Sequence, residues 1–237
     1  LQSTTMTGTE GDDGSGIRMG QGAGGDVRMM GYAFGYSAPY MYSEALTKGI
    51  LINMKGRRFI GEDNYGSFIA CALIHGNPVS FLIFDDAVWS EVPDAVKDYV
   101  TLAGQADTVA ELVANLGLNA AMVESTLSTY NQFAAEGEDP EYQKNEHYLV
   151  PLETAPFYAI PFVAEYANCF TTGGLHINTQ AQVLDAEGEP IAGLYSAGRN
   201  AFAVTAQNYP GSGTSVGEAL IFGRIAGQSA AASEAWS

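Results

Sequence analysis

Apolar and polar positions along the chain alternate between a helical and an extended period. The first fifteen residues are polar and glycine-rich and read as a surface loop, and Ile17 to Met29 reads as a helix broken by glycines. Ile50–Met54 is a short apolar run followed by the turn Lys55-Gly56-Arg57-Arg58 and by Phe59-Ile60, a hairpin pattern. Ser67 to Ile74 has a helical pattern, and Ser80–Asp85 reads as a buried strand. Thr108 and Glu111 stand at capping-box spacing before Leu112, Val113 and Leu116, so a helix starts there. A second helix runs from Asn119 to Ala135, with a stripe of Met122, Val123, Leu127 and Tyr130. Glu136 to Glu146 is charged and loop-like, and Pro156–Ile160 returns to extended structure. Leu175–Asn178 and Ala181–Leu184 form a hairpin before the turn Ala186–Pro190. A final helix begins near Ser215 and packs through Val216, Ala219, Leu220 and Gly223. This mixture predicts an α+β chain.

Composition narrows the function. The 237 residues suffice for one large or two modest domains with a real core. Apolar residues make up 46% and charged residues 16%, which is globular rather than disordered. Acidic residues outnumber basic ones 27 to 10, so neither nucleic acid nor an anionic membrane surface is an expected partner. Cys71 and Cys169 lack a CxxC partner and read as buried thiols. His75, His147 and His176 have no metal-ligand spacing, so no metal is expected. No apolar run approaches the roughly 20 residues of a membrane span. The chain opens on Leu1 without a signal-like segment and reads as a piece of a longer protein, which leaves its compartment open.

Two glycine clusters invite a cofactor reading. Gly20-Gln21-Gly22-Ala23-Gly24-Gly25 matches GxGxxG, but no apolar strand precedes it. A dinucleotide fingerprint needs that strand, so the motif reads as a helix C-terminus and turn. The tail is different. Thr171-Thr172-Gly173-Gly174-Leu175, then Gly193-Leu194-Tyr195-Ser196-Ala197-Gly198, then Asn208-Tyr209-Pro210-Gly211-Ser212-Gly213-Thr214-Ser215 read as a tight turn, a strand with a small-residue loop, and a glycine-rich loop opening a helix. That order lets backbone lie against a flat ring. The helix start also turns N–H groups and partial positive charge toward an electron-rich edge.

Together these motifs resemble the C-terminal flavin-binding segment of the fumarate reductase/succinate dehydrogenase flavoprotein-like superfamily. The resemblance extends upstream through Gly56-Arg57-Arg58-Phe59 with Glu62, Phe84-Asp85-Asp86, Tyr130-Asn131 and Pro156-Phe157-Tyr158-Ala159. It implies part of a FAD-binding, Rossmann-like domain with an inserted α+β substrate-capping domain. Residues 1–60 and 161–237 would belong to the former and 61–160 to the latter. The implied cofactor is FAD, held by Thr172, Gly173, Gly174, Gly198, Arg199, Gly213, Thr214, Ser215 and Val216. The family's N-terminal βαβ unit, which takes the ADP half of FAD, has no counterpart here, so the implied partner is that missing N-terminal half.

Within the superfamily, positions used for dicarboxylates have changed character. Where members similar to fumarate reductases carry an arginine acid, a histidine and a second arginine, this chain has Trp89, Phe170 and Tyr209. Each lost charge-assisted contact forfeits about 1.5–3 kcal/mol. The replacements resemble the 3-ketosteroid dehydrogenase branch, including Tyr209-Pro210-Gly211-Ser212-Gly213 and Glu62-Asp63-Asn64-Tyr65. The resemblance implies that the Tyr209 hydroxyl and the Gly213 N–H hold a substrate carbonyl oxygen and that Tyr65 moves the α-proton. Trp89 and Phe170 would line the substrate pocket. The implied substrate is a small apolar ketone or enone, with hydride exchanged at flavin N5. The competing readings are a fumarate- or urocanate-type dicarboxylate or acrylate reductase, whose cation candidates are Arg57, Arg58 and Arg199, and a non-catalytic fragment unable to hold FAD alone.

Overall fold

A computed structural model of the chain describes residues 8–163, 168–204 and 209–233. In chain order the elements begin with helix α1 (Ser15–Gly22), strands β1 (Val27–Arg28), β2 (Ala33–Tyr36) and β3 (Ile50–Asn53), and helix α2 (Gly66–Gly76). Then come β4 (Val79–Asp85), α3 (Asp86–Glu91), α4 (Asp94–Lys97), β5 (Gly104–Ala106), α5 (Val109–Asn115) and α6 (Ala120–Glu136). Strands β6 (Phe157–Val163), β7 (Asn168–Thr171), β8 (Gly174–His176), β9 (Gln182–Leu184), β10 (Pro190–Tyr195) and β11 (Ala201–Phe202) precede the last helix, α7 (Thr214–Ala232). The fold is α+β. Contacts divide it into a central unit, chiefly Gly35–Asn168, and a split unit, Met6–Phe34 with Cys169–Ser237.

The central unit is built on an antiparallel sheet of order β3-β4-β6-β5. Register pairs Ile50 with Ile83 and Ile52 with Phe81, and pairs Leu82 with Ile160 and Phe84 with Tyr158. Branched and aromatic residues suit that pleated surface. Leu51, Ile52, Leu82 and Phe84 are fully buried among Ile69 and Leu73 of α2, Leu112 of α5 and Val123 of α6. Burying each such side chain contributes roughly 1.5–3 kcal/mol. Helix α5 starts where the capping box predicts it, with Thr108 Oγ1 accepting the Glu111 N–H at 3.2 Å. Asn119 likewise caps α6, accepting from Met122 N at 3.0 Å. The face that α6 buries carries Val123, Leu127, Tyr130 and Ala134.

The split unit has a smaller core. Strand β8 lies between β1, antiparallel to it, and β11, parallel to it. Leu175, Ile177 and Val183 are buried there, with Val27, Ile191, Leu194 and Phe222 packed against them.

Several local expectations change. The helix expected from Ile17 ends at Gly22, and Val27 enters a strand. The GxGxxG stretch is that helix's end and turn, with Gly25 N donating to Gly20 O at 2.9 Å. The Lys55–Arg58 turn forms, but its return strand is a single bridge between Ile52 and Arg58. The hairpin expected of residues 175–184 is also one bridge, Ile177 to Val183, because β8 spends its edges on β1 and β11. The packing face expected on the final helix is uncovered in this chain. Val216 and Leu220 are 64% and 70% exposed. Cys71 is half-buried and unpaired; the side chain of Cys169 lies outside the described residues.

Candidate functional site

Four segments of the split unit surround a cavity of about 410 Å³. They are the loop into α1 (Gly11–Ile17), the β7–β8 turn (Phe170–Gly173), the turn Gly198–Ala201, and the first turns of α7 (Ser215 and Glu218). Of the residues expected to hold a flavin, Thr172, Gly173, Gly198, Arg199 and Ser215 line it, and so does Phe170. Gly174, Gly213, Thr214 and Val216 do not.

Backbone crowding explains the paired glycines. A Cβ on Gly173 would lie 2.7 Å from Met29 backbone, and one on Gly174 would lie 2.7 Å from Ala201 backbone. Their immediate reason is close packing against neighbouring chain, which also leaves the cavity wall there made of main chain. Thr172 is buried, and its Oγ1 has no partner among the described residues. An orphaned buried hydroxyl costs about 1–3 kcal/mol, and Thr172 is one of the residues around the cavity.

Arg199 does not stand free. Its Nε and Nη2 donate to the two carboxylate oxygens of Asp12 at 2.9 and 2.8 Å. The Thr9 N–H and then Arg199 hold that carboxyl below its ordinary value, against partial desolvation. Asp12 and the α1 start, with Gly14 and Ser15, escaped the sequence reading. Their signal was the glycine-flanked Asp12-Asp13 pair just before the helix. Ser15 at the start of α1 and Ser215 in the first turn of α7 both border the cavity, their own N–H groups donating to Asp13 Oδ1 and to the Tyr209 hydroxyl.

Tyr209 organises the beginning of α7. It is 7% exposed, and its ring lies 4.8 Å from Phe34 and 5.7 Å from Phe170 between centroids. Its hydroxyl oxygen accepts the Ser215 N–H at 2.9 Å. Gly213 is the α7 N-cap with φ 92°, a left-handed conformation that glycine adopts without strain. Thr214 closes the turn, its hydroxyl donating to Gly211 O at 2.8 Å. Asn208, with Ala206 and Gln207, lies outside the described residues.

Tyr65 and Trp89 belong to the central unit. Tyr65 is the N-cap of α2 and lines a cleft with Tyr40, Glu44, Thr47, Asp63 and Tyr148. The turn before it is anchored by buried ions. Glu62 accepts from Leu51 N at 2.9 Å and from Arg58 Nε and Nη2 at 3.1 and 2.9 Å, and Lys144 Nζ lies 3.3 Å away. Arg58 also donates to Asp139 at 2.8 Å. Burial would raise the Glu62 carboxyl, but Lys144 and Arg58 outweigh it and hold it low. Asp63 accepts the Asn145 N–H at 2.9 Å. Glu62 and Asp63 therefore fix the backbone on which Tyr65 stands. Trp89 packs against Phe84 and Tyr158, with centroids 5.6 and 5.3 Å apart, and lines none of the cavities described above.

The model of the FAD binding domain family matches residues 1–216. The chain belongs to that family. FAD is the family's cofactor, and the split-unit cavity fits a flavin by its main-chain wall at Gly173, with the unpartnered buried hydroxyl of Thr172 beside it. Among solved structures, this flavoprotein chain is similar to a 3-ketosteroid-Δ4-(5α)-dehydrogenase from Rhodococcus jostii RHA1 in complex with 4-androstene-3,17-dione. Identity is 34%, the TM-score 0.86, and the match covers 98% of this chain and 48% of that one. It is 30% identical to an NADH:acrylate oxidoreductase of Vibrio harveyi, covering 92% of this chain and 23% of the relative. It is 34% identical to a urocanate reductase of Eggerthella lenta, covering 78% and 31%. The chain thus spans less than half the length of each. Among the described residues no helix is long and apolar enough to cross a membrane.

Proposed function

We propose that the protein is an FAD-dependent oxidoreductase acting on the carbon–carbon bond next to a ketone, on a neutral, apolar substrate of ketosteroid or enone type. Bound FAD supplies hydride exchange at its N5 atom. Thr172, Gly173, Gly198, Arg199 and Ser215 would hold the flavin ring from the split unit, with Gly174, Gly213, Thr214 and Val216 around them. Residues 1–60 and 161–237 are read as the FAD-binding part and 61–160 as the cap. The uncovered α7 face is read as the seat of the remaining FAD-binding half, supplied from outside this chain.

The observation that carries the substrate class is Tyr209. Its phenol oxygen is loaded by the Ser215 N–H, and its ring sits among Phe34 and Phe170. That environment suits contact with a carbonyl oxygen on an apolar molecule, and the guanidinium beside it, Arg199 at 5.9 Å from the Phe170 ring centroid, is held by Asp12. Two of the three arginines a dicarboxylate would call on are committed, Arg58 to Glu62 and Asp139 and Arg199 to Asp12. Tyr209 O–H and Gly213 N–H then stabilise the oxyanion that develops on the carbonyl, Tyr65 moves the proton at the α-carbon, and Trp89 and Phe170 wall the substrate pocket. Tyr209→Phe in the FAD-loaded full-length protein tests this reading. Turnover of a 3-ketosteroid should fall about 10²–10³-fold with flavin absorbance retained. Unchanged turnover would overturn it.

The relatives named for acrylate and urocanate favour a second reading, an acrylate or dicarboxylate reductase. It predicts fumarate or urocanate turnover that survives loss of the Tyr209 hydroxyl.

A further inference from the structure

Among the described residues around the split-unit cavity, Arg199 carries the one positive charge, and Asp12, Asp13 and Glu218 carry negative ones. The Arg199 guanidinium carbon lies 5.9 Å from the ring centroid of Phe170, which lines the same cavity. Two of the three carboxylates accept from main chain: Asp13 Oδ1 from the Ser15 N–H at 2.8 Å, and Glu218 Oε1 from the Val204 N–H. Asp12 is the one that meets Arg199, each of its oxygens accepting one guanidinium N–H, at 2.9 and 2.8 Å. A local turn sets Asp12 for this pairing. Its own N–H donates to Thr9 O at 2.9 Å, and the Thr9 N–H donates back to Asp12 Oδ2 at 2.8 Å. The turn leaves no room to spare, since a Cβ on Gly8 would stand 3.2 Å from that same oxygen.

The pair matters for its charge. A reduced flavin is anionic at neutral pH, and charge near its ring nitrogens is one of the levers a protein has on its potential. A lone guanidinium at the cavity wall would favour the reduced form. A carboxylate seated on two of its N–H groups turns that charge into a short dipole, whose field falls off faster than that of a single charge. We propose that Asp12 is a positioning residue for the flavin: it fixes Arg199 beside Phe170 and cancels its charge, which holds the potential of bound FAD low. The proposal rests on the reading of this cavity as the flavin's seat. A low potential suits a flavin that gives electrons to a carbon–carbon double bond rather than one that takes them from a saturated ketone.

Redox titration of the FAD-loaded full-length protein against dyes of known potential reads the effect. Asp12→Asn keeps an acceptor for Arg199 and removes the charge. It should shift the equilibrium toward reduced flavin about tenfold, a rise of about 30 mV for a two-electron couple. Arg199→Gln leaves the carboxylate uncompensated and should shift it the other way by a similar factor. The two substitutions together should return the potential close to that of the wild type. Glu187→Gln removes an equal charge from the exposed turn before β10, outside the cavity lining, and should leave the potential where it is. A merely structural role for Asp12 would not give shifts of opposite sign that cancel in the double variant. Arg199→Glu sets two carboxylates against each other and should release FAD on gel filtration. Release of FAD by Arg199→Glu, with no shift or shifts of the same sign from Asp12→Asn and Arg199→Gln, overturns the proposal and leaves the cavity reading standing. Wild-type potential and wild-type FAD retention in every variant overturn the cavity reading and the proposal with it.

Discussion

Leu51, Leu82 and Phe84 of the central unit have no exposed surface, whereas Val216, Leu220 and Ile221 on α7 of the split unit are 64, 70 and 60% exposed. The ions divide the same way. Arg58 and Glu62 are sealed inside the central unit, with side chains 1% and 0% exposed, while Arg199 and Asp12 of the split unit pair at 58% and 30%. Both units start a helix under a tyrosine oxygen, Tyr40 on Gly66 N and Tyr209 on Ser215 N. At α2 the helix behind that junction is buried in a finished core. At α7 it is laid open. One unit therefore satisfies its own apolar surface, and the other presents surface suited to a further partner.

The comparison breaks most easily at the buried ions. Arg58→Met or Glu62→Gln leaves an unpaired charge without water, and urea denaturation of this chain followed by circular dichroism should register a loss of about 3–5 kcal/mol. Asp12→Asn, by contrast, should leave the denaturation midpoint within error, since exposed pairs contribute little. Acid acts on the same cluster. Glu62 and Asp139 are held below their ordinary values of 4.5 and 3.8. Their contribution is complete above those values and is lost as the pH falls through the lowered ones, because the unfolded chain takes up protons first. Stability of Glu62→Gln should be correspondingly less pH-dependent in that acid range. An equally steep acid loss in the variant would assign the sensitivity elsewhere.

How much of this was legible in the sequence follows the range of the interactions. Helices α5 and α6 were readable because Thr108–Glu111 and Asn119–Met122 act over three residues. The turn at Thr172-Gly173-Gly174 and the start of α7 were readable because glycines mark them. Asp12 against Arg199 was not, because the two are 187 residues apart. Tyr40 on Gly66 N was not either, since no local pattern announces a phenol capping a helix 26 residues on. The α7 face shows the reverse error: its apolar period is real, but period alone says nothing about whether the partner lies in the same chain.

A smaller effect sharpens the contrast at α7. Leu220→Ser with Ile221→Ser should change the stability of this chain by no more than about 0.5 kcal/mol, because neither side chain is covered. In the full-length protein the same pair should reduce retained FAD, read from flavin absorbance after gel filtration. A large loss in this chain alone would mean that the face is already partnered within it.

Anaerobic mixing of the reduced, FAD-loaded full-length protein with a ketosteroid enone, and separately with fumarate and with urocanate, separates a ketone substrate from a carboxylate one through the reappearance of flavin absorbance. A carbonyl-binding site built on Tyr209 should give rapid reoxidation by the enone and none by the carboxylates. Reoxidation by fumarate or urocanate but not by the enone would contradict it.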